Sequence, residues 1–278
     1  FRSLTESKML QIIFFGILFG AVLSMIPKEK AKPVMDLVEG LNEVFVKMVM
    51  VIMKAMPFFV FALMAGQIVK AAGSDPDKFT ELMKFYLWYG GVVIAGLVTM
   101  AFIFYPIIVK IFTGLGFRKF LRSVKDAQIT AFSTSSSVAT LPVTMGCLEN
   151  NLKVSKSTTS FVLPIGATVN MDGTSLYQGI AVVALAQFHM VDLSILQQLI
   201  IVGTATLASI GAAAIPSAGL ILMMVVLESV GLNPLWIAII FPIDRILDMC
   251  RTVVNVTGDA SVAAIIAYSE NEINSVDD

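Results

Sequence analysis

Charge is what this sequence lacks most: 14% of its residues are Asp, Glu, Lys or Arg, against about 25% in ordinary water-soluble domains. With 57% hydrophobic residues and a mean hydropathy of +0.86, soluble classes fit poorly and a multi-spanning membrane protein is expected. Histidine is nearly absent. The single one, His189, falls at a span end, where a solvated loop position is expected, so no Ser-His arrangement is evident. The two cysteines, Cys147 and Cys250, sit in or beside apolar runs without an extracellular spacing pattern, which argues against a disulfide framework. No long basic tract accompanies the net charge of −1, so a nucleic-acid partner is not expected. The opening FRSLTESKML has neither an initiator Met nor a small-residue cleavage site. The first apolar stretch is therefore expected to be a genuine span, and the sequence to start inside a longer protein. Low-complexity segments and short tandem repeats are also missing, and the sixteen methionines read as packing filler.

What is present is a succession of apolar runs. Met9 to Ile26 is 18 uncharged residues ended by Pro27 and KEKAK, about the minimum for a hydrocarbon core roughly 30 Å thick. From about Pro33 to Ala72 a long apolar pattern carries Lys47 and Lys54 on one side, predicting a tilted helix with snorkelling lysines and a kink at Pro57. Phe85 to Val109 is a clear span of 25 residues. Leu193 to Leu227, at 35 uncharged residues, is too long for one ordinary span, and Gly211, Pro216 and Gly219 interrupt it. Two half-length helices meeting at an irregular tip fit better, because non-helical backbone at membrane depth survives only where protein or a cavity surrounds it. The uncharged run Ala127 to Leu148 repeats that arrangement, with FRKFLRSVKDAQITAF as first arm, a Ser-rich break, and VATLPVTMGCL as second. Two such interrupted segments point to a transporter binding site. Ser157 to Met190 is a span interrupted by NMDGT, and Asn233 to Tyr268 is the last. KEKAK, Lys110 to Lys125, Lys153 and Lys156 form the basic loop set, which should be cytoplasmic.

Three stretches carry the chemistry. In the last span Asp244, Asp248, Arg251, Asn255 and Asp259 follow one another at spacings of 4, 3, 4 and 4, which at about 100° per residue places them within a sector of roughly 80°. Arg245 and Thr252 flank that stripe. Four charges there would cost about 10 to 14 kcal/mol facing lipid, so the stripe faces protein: either a buried ion-pair ladder of Asp244 or Asp248 with Arg251, or a polar cavity. Asn255 and Asp259 extend it beyond what one arginine neutralises, which favours the cavity. GATVNMDGT, Gly166 to Thr174, sets Asn170, Asp172 and Thr174 at alternate positions. An unwound segment offering oxygens to a hard cation is expected there, with a Gly-tolerated kink and capped second half as the alternative. The Ser run could bond back to its own carbonyls. At a hairpin tip, however, the second arm would offer free N–H groups to an anion beside the Ser136 and Ser137 hydroxyls.

STSSSVATLPVTM, LPIGATVNMDGT, SIGAAAIPSAG and DRILDMCRTVVNVTGD occur in the order seen in the glutamate/aspartate transporter family, the sodium-coupled dicarboxylate and amino acid symporters. The chain resembles that family from about residue 9 to 268. The resemblance implies an all-α polytopic membrane protein with a glutamate-transporter-like fold, two re-entrant helical hairpins, an elevator motion and a homotrimer in the cell membrane. Residues 1–76 would be a partial scaffold and trimerisation region of two long membrane helices. Residues 77–278 would be the transport domain: a span, hairpin 1 at about 117–150, an interrupted span at about 155–190, hairpin 2 at about 193–230 and a final span at about 233–268. Family members have about three further spans before the first one here, so one sodium site would lack its contribution from the third.

By motif, Ser137 and Asn255 resemble ligands of a substrate α-carboxylate, with main chain around Ser135, Ser136, Ile215 and Gly219. Asp248 resembles the residue holding the α-amino group, with Thr252 nearby, while Arg251 and Thr174 resemble the pair that binds a side-chain carboxylate. For co-transported sodium, Gly166, Asn170, Asn255 and Asp259 resemble one site. Thr168 with main chain around Ser209, Ile210 and Ala212 resembles a second, and Asn170 with Asp172 a third, incomplete one. Arg251 favours an acidic substrate, Asp248 favours an amino acid, and Gln178 stands where proton- and potassium-coupled animal relatives carry Glu. Archaeal relatives have Arg at the Ser135 position and animal glutamate carriers at the Met249 position; this chain has neither. A sodium-coupled aspartate or glutamate symporter, not an enzyme, is therefore expected. The alternatives are a dicarboxylate or proton-coupled carrier of the same fold, a channel, or an intramembrane hydrolase, for which Asp244 and Asp248, sharing one helix, offer no dyad.

Overall fold

A computed structural model of the chain describes residues 9–55, 58, 61–62, 65–66, 76–212 and 216–272. No strand occurs among them. The chain separates into two compact units, Phe1–Thr80 and Glu81–Asp278. The expected kink at Pro57 and the substrate position Ile215 lie outside the described residues.

In the first unit α1 spans Met9–Met25 and α2 spans Lys28–Met53. Pro27 separates them, and its carbonyl accepts from the N–H groups of Lys30 and Ala31 at 2.9 and 3.1 Å, starting α2. The helix thus begins about five residues earlier than the apolar pattern suggested, with Pro33 inside its second turn. Lys47 and Lys54 are exposed, as are Phe15, Phe19, Val22, Leu37 and Val44.

The second unit begins within α3, Pro76–Thr99, which continues through a π-helical turn, Met100–Phe104, into α4, Tyr105–Thr113. Pro106 explains that turn: a proline has no N–H to give, and widening the preceding turn to an i→i+5 pattern rehouses the carbonyls. Tyr105 N–H accordingly reaches the Met100 carbonyl. Among the described residues, Phe79–Thr113 is the one helical run long and apolar enough to cross a membrane.

A helical hairpin follows: α5, Phe117–Thr134, packs on α6, Ser137–Asn151, and Asn151 Nδ2 donates to the Ser123 carbonyl at the base, 2.8 Å away. Then come α7, Lys156–Val169, and α8, Asp172–Phe188, separated by Asn170 and Met171. A second helix pair, α9, Ile195–Ile210, and α10, Ala218–Ser229, also packs together. After a 3₁₀ turn at Pro234–Trp236, α11 runs from Ile237 to Ser269. His189 sits in the turn after α8, as expected, but its side chain is half-buried rather than solvated: it stacks on Trp236 with centroids 3.7 Å apart, and its Nε2 is buried without a partner among the described residues.

Helix α11 is the axis of the unit, in contact with α4, α5, α6, α7, α8 and α10. Its C-terminal half presents Ala260, Ala263, Ala264 and Ala267 to Val109, Phe120, Leu148 and Leu163. Small side chains there let several neighbours approach one helix closely, where dispersion contacts accumulate. The N-terminal and middle turns carry the polar stripe, so one helix supplies both the core seam and the site.

Candidate functional site

Every member of the stripe is buried: Asp244, Asp248, Arg251, Asn255 and Asp259 are all at or below 6% exposure. Arg251 Nη2 lies 2.6 Å from Asp248 Oδ1 and 3.4 Å from Asp244 Oδ1, and its guanidinium carbon sits 4.1 Å from the centre of the Tyr177 ring. Tyr177 in turn donates to Asp244 Oδ1 at 2.8 Å. The ion-pair ladder weighed from the sequence is therefore present, yet it does not exhaust the arginine. Arg251 Nε and Nη1 are buried with no hydrogen-bond partner among the described residues, as is Asp244 Oδ2. Such orphaned donors are costly in a low-dielectric interior, and a planar guanidinium with an open edge is suited to a carboxylate.

The open edge points at named neighbours. A Cβ built on Gly219 would fall 2.8 Å from Arg251 Nη1 and 2.6 Å from Thr174 Cγ2, so Gly219, Thr174 and Arg251 meet. Gln178 Nε2 donates to the Gly219 carbonyl at 2.8 Å, and Ser217 N–H donates to Asp248 Oδ2 at 2.9 Å. The start of α10 is thereby latched onto α8 and α11. Thr252, also buried, spends its hydroxyl on the Asp248 carbonyl at 3.0 Å.

The break between α7 and α8 does not float free. Gly173 N–H donates to Asn255 Oδ1 at 2.8 Å, Asn255 Nδ2 reaches Met171 Sδ at 3.2 Å, and Asn170 Nδ2 donates to Asp259 Oδ1 at 2.9 Å. A Cβ on Gly173 would lie 2.5 Å from the Arg251 carbonyl, so only glycine permits this crossing. Gly166 is equally close to the Asp259 carboxylate, at 2.5 Å from a built Cβ to Oδ1. Gly166, Asn170 and Asp259 are thus brought together, with Asn255 one turn before Asp259 on α11 and engaged to Gly173 and Met171; oxygens of these residue types are what a hard cation selects. Asp172 joins through Tyr105, whose hydroxyl donates to Asp172 Oδ2.

The remaining predicted residues are placed less tightly. Thr168 is exposed, and its hydroxyl turns back to the carbonyls of Ile165 and Pro164 at 3.0 and 3.3 Å. Ser209 is buried and donates to the Thr206 carbonyl at 2.8 Å, and the Ala212 N–H returns to the Ser209 carbonyl at 3.0 Å. Ser209 and Ile210 line, with Asp172, a groove of about 1090 Å³ between α3, α8 and α9.

At the first hairpin tip the hydroxyls divide their work. Thr130 and Ser133 bond back to carbonyls four residues earlier, as the alternative reading of the Ser run held. Ser136 caps α6 by accepting from Ala139 N–H at 3.2 Å. Ser135 adopts the left-handed conformation at φ 51°, and its Oγ is buried without a partner among the described residues. Ser137 is also buried. The hairpin is held to α11 through Gln128 Nε2, which donates to Thr257 Oγ1 at 3.0 Å.

Residues the sequence reading left unassigned are Tyr105, Tyr177, Met171 and Ser217. The tyrosines had a usable signal, because a phenol in an apolar span requires a partner for its hydroxyl. Ser217 acts through its backbone N–H, which no side-chain pattern reveals.

Compared with known proteins, residues 1–269 match the sodium:dicarboxylate symporter family profile. The chain belongs to that family. This symporter-family chain is 40% identical over 269 residues to an excitatory amino acid transporter of Caenorhabditis elegans, an alignment covering 96% of this chain and 52% of the relative. It is 41% identical over 274 residues to excitatory amino acid transporter 1 of Ambystoma tigrinum, covering 96% and 48%. Against human excitatory amino acid transporter 3 it is 40% identical over 269 residues, covering 96% and 50%. The symporter-family chain therefore spans about half the length of the curated relatives it matches.

Proposed function

We propose that this chain forms the substrate- and ion-binding part of a multi-pass cell-membrane symporter that moves an acidic amino acid, aspartate or glutamate, together with sodium. The single observation that carries the reading is Arg251, a buried guanidinium whose Nε and Nη1 lack partners among the described residues and whose Nη1 faces Thr174 and Gly219. A substrate side-chain carboxylate placed there completes two charge-assisted hydrogen bonds. Asp248 then holds the ammonium group, with Thr252 close by. Ser137, the main chain around Ser135 and Ser136, Ile215 and Asn255 take the α-carboxylate, and the orphaned Ser135 Oγ supports an acceptor at that tip. Sodium is cargo, held by Gly166, Asn170, Asn255 and Asp259, by Asn170 with Asp172, and by Thr168 with Ser209, Ile210 and Ala212.

In this reading the two helix pairs, α5 with α6 and α9 with α10, are re-entrant hairpins. Their tips gate a transport domain of residues 77–278, which moves elevator-fashion against a scaffold within a homotrimer, residues 1–76 being part of that scaffold. The shortness of the apolar helices α9 and α10 fits half-span arms, and the exposed apolar faces of α1, α2 and α3 support a membrane setting. Coupling is a linkage between ion and substrate binding. The Ser217 N–H now occupies Asp248 Oδ2, and a substrate ammonium competes for that carboxylate, so substrate binding and the position of the second tip are tied. Ions bound against Ser209, Ile210 and Ala212 favour the tip closed over the substrate. Calorimetric titration of the purified chain with L-aspartate at varied sodium tests this. Affinity should rise steeply with sodium, and aspartate affinity independent of sodium would refute the coupling.

A further inference from the structure

Tyr105 has no role in the scheme above, yet its hydroxyl ends inside the cation group. It is the first residue of α4, immediately after the π-helical turn, and is 6% exposed. The hydroxyl donates to Asp172 Oδ2 from a helix 67 residues away in sequence. Its position is tightly defined by Gly258: a Cβ there would stand 2.7 Å from the Tyr105 hydroxyl and 2.7 Å from Asn170 Nδ2. The phenol oxygen, the Asn170 amide and the Asp172 carboxylate therefore gather beside one backbone carbon of α11. Inserting a π turn adds a residue to the helical register, so the turn before Pro106 sets the direction in which Tyr105 leaves the helix.

An ionised carboxylate has only acceptor positions and needs donors or a cation around it. Asp172 is exposed to the groove between α3, α8 and α9, so an ion can reach it, while Tyr105 holds the protein side. The O–H dipole presents its positive end to the same oxygen that a cation would seek. It stabilises the ion-free carboxylate more than the ion-bound one, and only such a difference between states shifts a binding equilibrium.

We propose that Tyr105 is a positioning residue for Asp172 whose hydroxyl stands in for the cation and lowers its affinity, easing ion release. The proposal rests on the reading of Asn170 and Asp172 as a sodium set. A carrier benefits from such a donor because its ion must leave in every cycle, and binding sites on a transport path work only if they are weak enough to empty.

The test uses the purified chain with sodium chloride as probe, replaced by choline chloride to hold ionic strength, and follows Tm, which rises with a ligand that binds only the native state. Tyr105→Phe keeps the ring that packs on Gly258 and removes the hydroxyl alone. It should lower the half-saturating sodium concentration about fivefold, the low end of typical coupling between sites. In an Asp172→Asn background, where the other proposed sodium sets still supply a response, the same substitution should have no effect on it, which places the hydroxyl's action on Asp172. Unchanged or weaker sodium binding in Tyr105→Phe overturns the proposal. So does a fivefold gain that persists with Asp172→Asn. A wild-type chain whose Tm ignores sodium overturns the cation reading itself, and this proposal with it.

Discussion

Replacing Arg251 by Gln separates the two tasks the arginine performs. The first is structural: Nη2 neutralises Asp248 at 2.6 Å and Asp244 at 3.4 Å, all three being buried. Removing one partner of a buried pair leaves uncompensated charge and costs about 3–5 kcal/mol. The second, under the proposed function, is recognition by Nε and Nη1, which have no partner among the described residues. Two hydrogen bonds to a charged group at about 1.5–3 kcal/mol each give about 3–6 kcal/mol, or at least about 100-fold in affinity. Calorimetry with L-aspartate and L-asparagine measures that second part directly, because the two differ only in carboxylate against amide. Wild type should prefer aspartate by at least about 100-fold, and Arg251→Gln should bring the ratio near unity. Adding Asp244→Asn to Arg251→Gln should recover much of the lost Tm, since one stranded carboxylate is gone, without recovering the preference. A retained aspartate preference in Arg251→Gln would refute the assignment, whatever happens to Tm.

Three further outcomes follow from the same geometry. Gly173→Ala should destabilise by about 1–3 kcal/mol through overpacking, read as a lower Tm, because its Cβ would sit 2.5 Å from the Arg251 carbonyl and 3.0 Å from Asn255 Oδ1; an unchanged Tm would contradict that crossing. Ser136→Ala should cost about 0.5–2 kcal/mol as a lost N-cap, whereas Ser135→Ala should leave Tm unchanged and weaken aspartate binding. Equal thermal effects of the two would remove the distinction drawn between capping and orphaned hydroxyls. Hydrogen bonds from Ser155 and Thr158 hold the Glu272 carboxyl below its ordinary range. A carboxylate stabilised in the folded chain contributes above its unfolded pKa and loses that contribution as pH falls through the folded one. Amide exchange at the end of α11 should therefore accelerate as pH drops below the ordinary glutamate range, relative to the intrinsic rate, and Glu272→Gln should abolish that step.

Much of the architecture was legible because apolar run length and interruption are one-dimensional properties. The 35-residue run from Leu193 resolves into α9 and α10 about the break that Gly211, Pro216 and Gly219 announced. The Ser-rich interruption separates α5 from α6, and NMDGT contains the break after α7 and the start of α8. The π turn before Pro106 was not legible, since it depends on how carbonyls near a proline are rehoused rather than on any hydropathy signal.

By itself the sequence determined the polar stripe, because five polar residues at helical spacing on an apolar helix can share only one face, and burial follows from the cost of exposing them to lipid. It also determined family membership, through four ordered motifs. Tertiary structure alone decided which of those groups are already paired. Arg251 keeps one nitrogen on two aspartates and leaves two others buried without a partner among the described residues, a division set by where Tyr177, Gly219 and Thr174 arrive from other helices. It likewise brought Tyr105 to Asp172 and the Ser217 N–H to Asp248. Hydrogen bonds between segments distant in the chain are fixed by packing angles and backbone position, and neither is written in the identity of the residues that form them.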